Sequence, residues 1–591
     1  MTPPTGTRET VLAITLLSVV ALAFTWPLLA SPCTTTVDAW FAPSQIWALD
    51  VLGQGLISEG RLVGPTTMLA WPRGGCLSIV GWSYLALLLP AQLLGLSSVA
   101  AVNIGVWLQL VAAGVATWLL ARRLGASWAA ASVAGLFYGL HPFAFHQLLN
   151  GQFSELCHWG PPLLAWLLLR LRDRPGWRPL LGLALCFGLL LASSPYSAVA
   201  GALLLAMMSC WWVRQQAGRR PSTLRLVAAA AAATLLGALP FLYYYLVLPQ
   251  GLTPLLEPNG TALGQHFVTN NLTYASVTGW VVPPRLWSAM TAVPSALEQS
   301  GTRLTSMEHY LGWGALILAA FGAQRLRREP RAGAPGLGLW LGYAAVCVVI
   351  ASGFHLCLVP YNAVTVGETT LPLPLAGVRA LWPSVIQFAT TYRVALGVLL
   401  VVALLAALGL DRLLARLKGW RRSTAMIACG IVLLGEGLAA GDTPHPLPIQ
   451  DLSTPQVYRD LSTMDPGAAV LGIPWRPSFG FHNPSLHLLW QGTHRHPTPL
   501  GNLGEPQRDV LTPFILEVEQ IMGHSRPEEQ GATLDGAPAR WFVAHMGAME
   551  THQRHRIEHY LDGWATLERH YPDDDIRLYR LRDGKTMVAS D

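Results

Sequence analysis

Charge is what this chain has least of. Only 12% of its 591 residues are charged, while 52% are hydrophobic and the mean hydropathy is +0.39. A soluble chain carries about twice that charge, so a water-soluble globular protein is excluded. No GxSxG, HExxH or glycine-rich phosphate loop is present, and the hydrolase, zinc-protease and nucleotide-binding chemistries those motifs carry have no anchor here. A basic stripe interleaved with aromatics is also missing, so the formal net charge of +6 points to no nucleic-acid partner. The eight cysteines show no zinc spacing. No internal repeat stands out, and Glu436 is the one acid well inside an apolar run, a poor match to a transporter.

Long apolar runs are abundant. Stretches of membrane-crossing length, roughly 17–25 residues, recur from Val11 to Ala440. The first, "VLAITLLSVVALAFTWPLLA", is longer than a signal-peptide core and is followed by "SPC", a poor cleavage site. It reads as a retained span with the N-terminus inside.

Basic clusters set the orientation: "ARRLG" (121–125), "RLRDRPGWR" (170–178), "RQQAGRRPSTLR" (214–225), "QRLRREPR" (324–331) and "RLLARLKGWRR" (412–422) each follow an apolar run. The positive-inside rule makes all five cytoplasmic. For Arg122 and Arg123 to lie inside, segment 77–97, with its central Pro90, must be a juxtamembrane helix rather than a crossing. The expectation is an α-helical polytopic membrane protein of about eleven spans over residues 1–440. External loops fall at 31–97, 141–157, 249–308 and 353–392, and an external domain occupies 441–591. In that tail, 468–475, 540–546 and 576–581 read as strands, and 505–522 and 549–561 as helices, giving a small α/β domain. His552, His555 and His559 lie on one solvated helix face. Cys33 and Cys76 share the first external loop and are expected to form a disulfide, or to stand as two separate interfacial thiols.

Several loops distant in sequence thereby bring chemistry to one boundary. Asp38 sits just past the first span, and the second loop supplies His141, His146 and Glu155. Arg303, Glu308 and His309 flank a later span, and Tyr392 and Arg393 another. Each also has a structural reading. Asp38 suits an N-cap or interfacial turn, and Glu155 with Ser154 a helix cap. The histidines suit interfacial hydrogen bonds, Glu308 and His309 a satisfied loop pair, and Arg393 a headgroup anchor.

An acid just past the first span, juxtamembrane segments, the motif "NGQFSEL" in the second loop and an external tail resemble the GT-C superfamily of membrane glycosyltransferases. "HQLLNGQFSELCHWGPPLL", "MEHYLGWGAL", "QFATTYRVALG", "VLGIPW" and "LLWQGTHRHPTPLGN" resemble the bacterial YfhO-like branch. That resemblance implies a polyprenyl-phosphate sugar donor, an external glycan, lipid or protein acceptor, and residence in the bacterial cytoplasmic membrane. It matches Asp38 to the first-loop catalytic acid and Glu155 to the second-loop acid. His141, His146, Arg303, Glu308, His309, Tyr392 and Arg393 are the implied substrate contacts. Asp38 is followed by Ala39 and Trp40 rather than completing a D-x-D or E-x-D pair, so a Mg2+ or Mn2+ ion would need Asp38 and Glu155 together. A transporter and a non-catalytic scaffold for envelope assembly are the alternatives.

Overall fold

The computed structural model describes residues 7–39, 41–60, 65–66, 75–76, 81–215, 220–246, 275–283, 309–329, 333–359, 362–366, 369–381, 390–441, 444–464, 468–473, 486–498 and 539–582. Helices dominate up to Ala440. In chain order they are α1 (Thr7–Ala30), α2 (Ala42–Glu59), α3 (Leu85–Leu93), α4 (Ser98–Leu124), α5 (Trp128–Gly139), α6 (Pro142–Leu149), α7 (Gly160–Asp173) and α8 (Trp177–Ser193). Then follow α9 (Pro195–Gln215), α10 (Arg220–Leu246), α11 (Trp313–Arg328), α12 (Leu337–Ala351), α13 (Pro374–Leu381), α14 (Leu396–Leu413) and α15 (Gly419–Ala440). Among the described residues six helices are long and apolar enough to cross a membrane: Thr7–Ala30, Ser98–Leu124, Pro195–Gln215, Ser222–Pro240, Thr391–Leu413 and Gly419–Ala440.

The span Thr391–Leu413 has the highest mean hydropathy of these, 2.6, and every residue from Leu396 to Asp411 is buried. A helix apolar on every side suits either lipid or a protein core, and the burial of α14 makes it the axis of the bundle. It meets α11 backbone to backbone. A Cβ at Gly322 would fall 1.8 Å from the Leu405 carbonyl oxygen, and one at Gly409 1.8 Å from that of Leu318. Small residues at such crossings gain dispersion contacts that lipid cannot supply.

The basic clusters gather at one end of the bundle. Arg122 pairs with Glu9 at 2.8 Å, Arg123 with Asp173, and Arg422 with Asp411 at 3.2 Å. Asp411 also accepts from the Ser127 backbone N–H and hydroxyl at the start of α5. At the opposite end, α3 is nine residues long, about 14 Å, too short to cross a bilayer. Segment 77–97 therefore contains the short helix its proline suggests.

That second end is also where the chain after Ala440 returns. Strand β1 (Thr35–Val37) pairs antiparallel with β2 (Ile449–Asp451), Val37 facing Ile449. Beyond it come α16 (Gln456–Leu461), β3 (Val470–Ile473), α17 (Leu486–His494), β4 (Trp541–His545), α18 (Thr551–Trp564), β5 (Ala565–Tyr571) and β6 (Ile576–Leu581). The strands form one sheet in the order β5-β6-β4-β3, with β3 and β4 parallel and the other neighbours antiparallel. Alternate residues of β4 serve opposite faces. Phe542 and Ala544 pack with Ile557 and Leu561 of α18, while Trp541 and Val543 pack with Val457 and Tyr458 of α16. α17 leans on α2, and Leu447, Leu452 and Leu488 join the apolar core of the bundle itself.

Candidate active site

Asp38 stands one residue beyond β1, its side chain exposed. Its backbone is tightly held. Its N–H donates to the Pro448 carbonyl at 2.9 Å, and Gln450 Nε2 donates to the carbonyls on either side, Val37 at 3.0 Å and Ala39 at 3.2 Å. From the bundle side Asn103 of α4, wholly buried, donates to the carbonyls of Pro32 (3.0 Å) and Thr35 (2.7 Å).

The loop that carries Glu155 meets this strap directly. Gly151 adopts φ 69°, and a Cβ there would lie 2.3 Å from the Ala42 nitrogen. Only glycine permits both that backbone conformation and that approach. Asp38 lies four residues before Ala42, and Glu155 four residues after Gly151.

Glu155 sits on a short 3-10 turn, Phe153–Leu156, and is 5% exposed. One carboxylate oxygen accepts from Arg393 Nη1 at 3.0 Å and the other from the Ser194 hydroxyl at 2.5 Å. Arg393 Nη2 donates to the Gln152 side-chain oxygen, and the guanidinium lies 5.1 Å over the Tyr196 ring. Breaking such a buried pair from one side is costly; Ser194 and Gln152 add hydrogen bonds to it and the Tyr196 ring covers the guanidinium, while the buried Arg393 Nε has no hydrogen-bond partner among the described residues. The pair sits between the two expected roles: neither a helix cap nor a headgroup anchor, but a polar clasp joining the second loop to the entry of α14.

His141 caps α6, its Nδ1 accepting from the Phe143 N–H at 3.1 Å. His146 lies edge-on to Tyr392, 6.1 Å between ring centres, and Gln147 Nε2 donates to the Tyr392 hydroxyl at 3.1 Å. Burial pushes both histidines down to about 3, with the Arg393 charge adding to the effect at His146. They are neutral at ordinary pH and offer hydrogen bonds rather than charge. His309 is wholly buried, with Nε2 3.1 Å from the Ser276 carbonyl oxygen and its ring edge-on to Trp280 at 4.7 Å. Arg303 and Glu308 lie outside the described residues. Cys33 is an exposed free thiol, and the Cys76 side chain lies outside the described residues.

Among the described residues no group of three His, Cys, Asp or Glu side chains could hold an ion. Both Glu155 oxygens are engaged, and a cation there would face the Arg393 guanidinium. The Asp38 and Glu155 pair in this arrangement does not fit such a site.

Glu436, the acid inside an apolar run, has a structural task. Its Oε1 accepts from the Tyr310 hydroxyl (2.8 Å) and the Trp313 N–H (2.5 Å), and its Oε2 from the Gly314 N–H (2.9 Å). It thus caps the N-terminus of α11 from the neighbouring α15. A carboxylate so satisfied loses its appeal as the coupling acid of a transporter.

A helical bundle gathering an exposed acid, a buried ion pair and neutral histidines at one end, beside a returning chain that forms a sheet, is similar in fold to the solved structures of two glycosyl-transferring proteins. Arabinofuranosyltransferase AftD from Mycobacteria superposes with a TM-score of 0.55 at 15% identity, over 97% of this chain and 40% of that one. The oligosaccharyltransferase of Archaeoglobus fulgidus in the apo form superposes with a TM-score of 0.50 at 13% identity, over 92% of this chain and 70% of that one. The chain thus spans two fifths of the arabinofuranosyltransferase. No protein-family model and no curated protein sequence matches it.

Proposed function

We propose that the protein is a membrane glycosyltransferase that moves a sugar from a polyprenyl-phosphate donor to an external glycan, lipid or protein, with Asp38 as general base. The observation that carries this reading is Asp38 itself: an exposed carboxylate on a backbone pinned from the bundle and from the tail, in a GT-C fold. Fixing the peptide while leaving the carboxylate open is what a base needs, since its reach to an incoming hydroxyl is then set in advance.

In the transfer, the acceptor oxygen attacks the anomeric carbon as its proton passes to Asp38. The bond from that carbon to the phosphate oxygen breaks, and polyprenyl phosphate leaves with the electron pair. Glu155 is assigned to hold Arg393. Arg393, Tyr392, His141 and His146 line the donor side, with Arg393 offering charge to the leaving phosphate and the neutral histidines offering hydrogen bonds. Arg303, Glu308 and His309 complete the expected contacts. No step is assigned to a metal.

The Arg-rich end is assigned to the cytoplasm, which places Asp38 and the tail outside, N-terminus in, with eleven crossings. Within the superfamily the chain is assigned to the YfhO-like branch on its sequence motifs, in a bacterial cytoplasmic membrane. The test is glycan and lipid profiling of a deletion strain restored with either the wild-type gene or Asp38→Asn. Wild type should restore a missing glycoconjugate and Asp38→Asn should not. Equal restoration by both would end the catalytic assignment and favour a scaffold.

A further inference from the structure

The first strand of the tail after residue 441 touches the peptide that carries Asp38. β2 pairs with β1 residue for residue. The Asp38 N–H ends on the Pro448 carbonyl, and the Leu452 N–H on that of Thr34. Gln450 adds what a ladder alone cannot. Its side-chain amide reaches back across the pair to the carbonyls of Val37 and Ala39, bracketing Asp38. These carbonyls lie where β1 ends, and the Asp38 N–H to the Pro448 carbonyl is the last backbone bond described between the two strands on that side. On the other flank, Asn103 holds Pro32 and Thr35, upstream of the acid. Between Asp38 and α2, the Gln450 amide is a side-chain restraint on the Ala39 carbonyl, which also accepts from the Ala42 N–H at 3.1 Å.

We infer that Gln450 is a positioning residue for Asp38, and that β2 makes the tail a working part of the same site rather than an independent module. This rests on the assignment of Asp38 as the base. Gln450 touches no reacting atom. It acts by limiting rotation of the 37–39 peptides, so that the carboxylate meets the acceptor hydroxyl at one distance and angle. An ångström of misplacement in such a group costs on the order of a hundredfold in rate.

The experiment uses the full chain in lipid nanodiscs and in the deletion strain, with Gln450→Glu, Gln450→Ala and Asp38→Asn beside wild type. Gln450→Glu keeps the size and removes both donors. Hydrogen exchange at the 36–39 amides should speed up about tenfold in both Gln450 variants, the effect expected of losing two partly buried hydrogen bonds. The α14 amides should stay as protected as in wild type, which separates a loosened strap from a misfolded protein. In cells the Gln450 variants should lower product without reducing protein level, and Gln450→Glu should do so at least as strongly as Gln450→Ala. If Asp38→Asn abolishes product while both Gln450 variants match wild type in exchange and in product, the inference fails and the base assignment stands. If Asp38→Asn is fully active, the base assignment fails, and faster exchange in the Gln450 variants would then report only a structural strap. If α14 protection falls together with the strap in both Gln450 variants, Gln450 is a folding residue and the positioning role is refuted.

Discussion

Arg393→Met is the most informative single perturbation of the buried clasp. The two side chains are 11% and 6% exposed, so solvent screens them little, and a pair broken from one side costs about 3–5 kcal/mol because the surviving charge stays buried. Here Glu155 would keep only the Ser194 hydroxyl of its two bonds described above. The loss should therefore fall in the upper half of that range. Glu155→Gln leaves Arg393 with a neutral amide oxygen in place of the carboxylate and should cost less, about 1–3 kcal/mol. Removing both charges together removes the uncompensated partner, so the double variant should lie well short of the sum, with a coupling of about 2–3 kcal/mol. Equilibrium unfolding by SDS titration in mixed micelles, followed by the fluorescence of the 23 tryptophans, measures all four corners of the cycle. Additivity within about 0.5 kcal/mol would show that the two side chains act independently, and the clasp would be discarded.

Three further outcomes follow from the same geometry. His141 and His146 have folded-state values near 3 against 6.5 for the free side chain, so between those limits the unfolded chain binds more protons and stability falls as pH drops below about 6.5. His146→Asn should flatten that fall by up to about 1.4 kcal/mol per pH unit in SDS titrations between pH 6.5 and 4; an unchanged slope would mean that His146 is accessible to protons in the native state. Glu436→Gln should destabilise by about 1–2 kcal/mol, since it replaces one acceptor oxygen by an NH2 donor facing the donors at the start of α11, and stability equal to wild type would remove the cap. In a cysteine-free background, Ser31→Cys and Ser453→Cys should react with an impermeant maleimide on intact cells and Arg178→Cys should not; the reverse pattern would invert the topology.

The sequence made some of this legible for identifiable reasons. A charge at a membrane boundary is conspicuous against an apolar background, so the ends of the bundle followed from Arg122, Arg172, Arg325 and Arg422 alone. The short apolar runs in "RWFVAHM" and "IRLYRL" gave β4 and β6. By contrast, β5 in "ATLERHY" is exposed along most of its length, and a strand without an apolar face leaves no period to read. Three-residue strands such as β1 and β2 carry none either, which hid the link between the first loop and the tail. Glu155 and Arg393 were each visible as candidates, but they are 238 residues apart, and nothing in a single sequence pairs them. Ser194, Gln152 and Tyr196 went unnoticed because neutral side chains at loop ends are common, and their value lies in what they neutralise. Helix α2 also escaped, although a proline at its second residue, Pro43, marks a helix start. Glu436 was an anomaly in an apolar run, and the three donors it serves on another element explain why it is tolerated there.

The most direct test of Asp38 as the base is a single-turnover assay on the full chain in nanodiscs carrying a panel of polyprenyl-phosphate sugars and an extract of the host's envelope glycans and lipids, with release of polyprenyl phosphate followed by mass spectrometry. Wild type should release it from at least one donor in the presence of acceptor, and Asp38→Asn, equal to wild type in stability, should do so roughly a hundredfold or more slowly. Release by Asp38→Asn at the wild-type rate would contradict the account, because asparagine preserves the shape and hydrogen bonding of the residue and removes only its basicity.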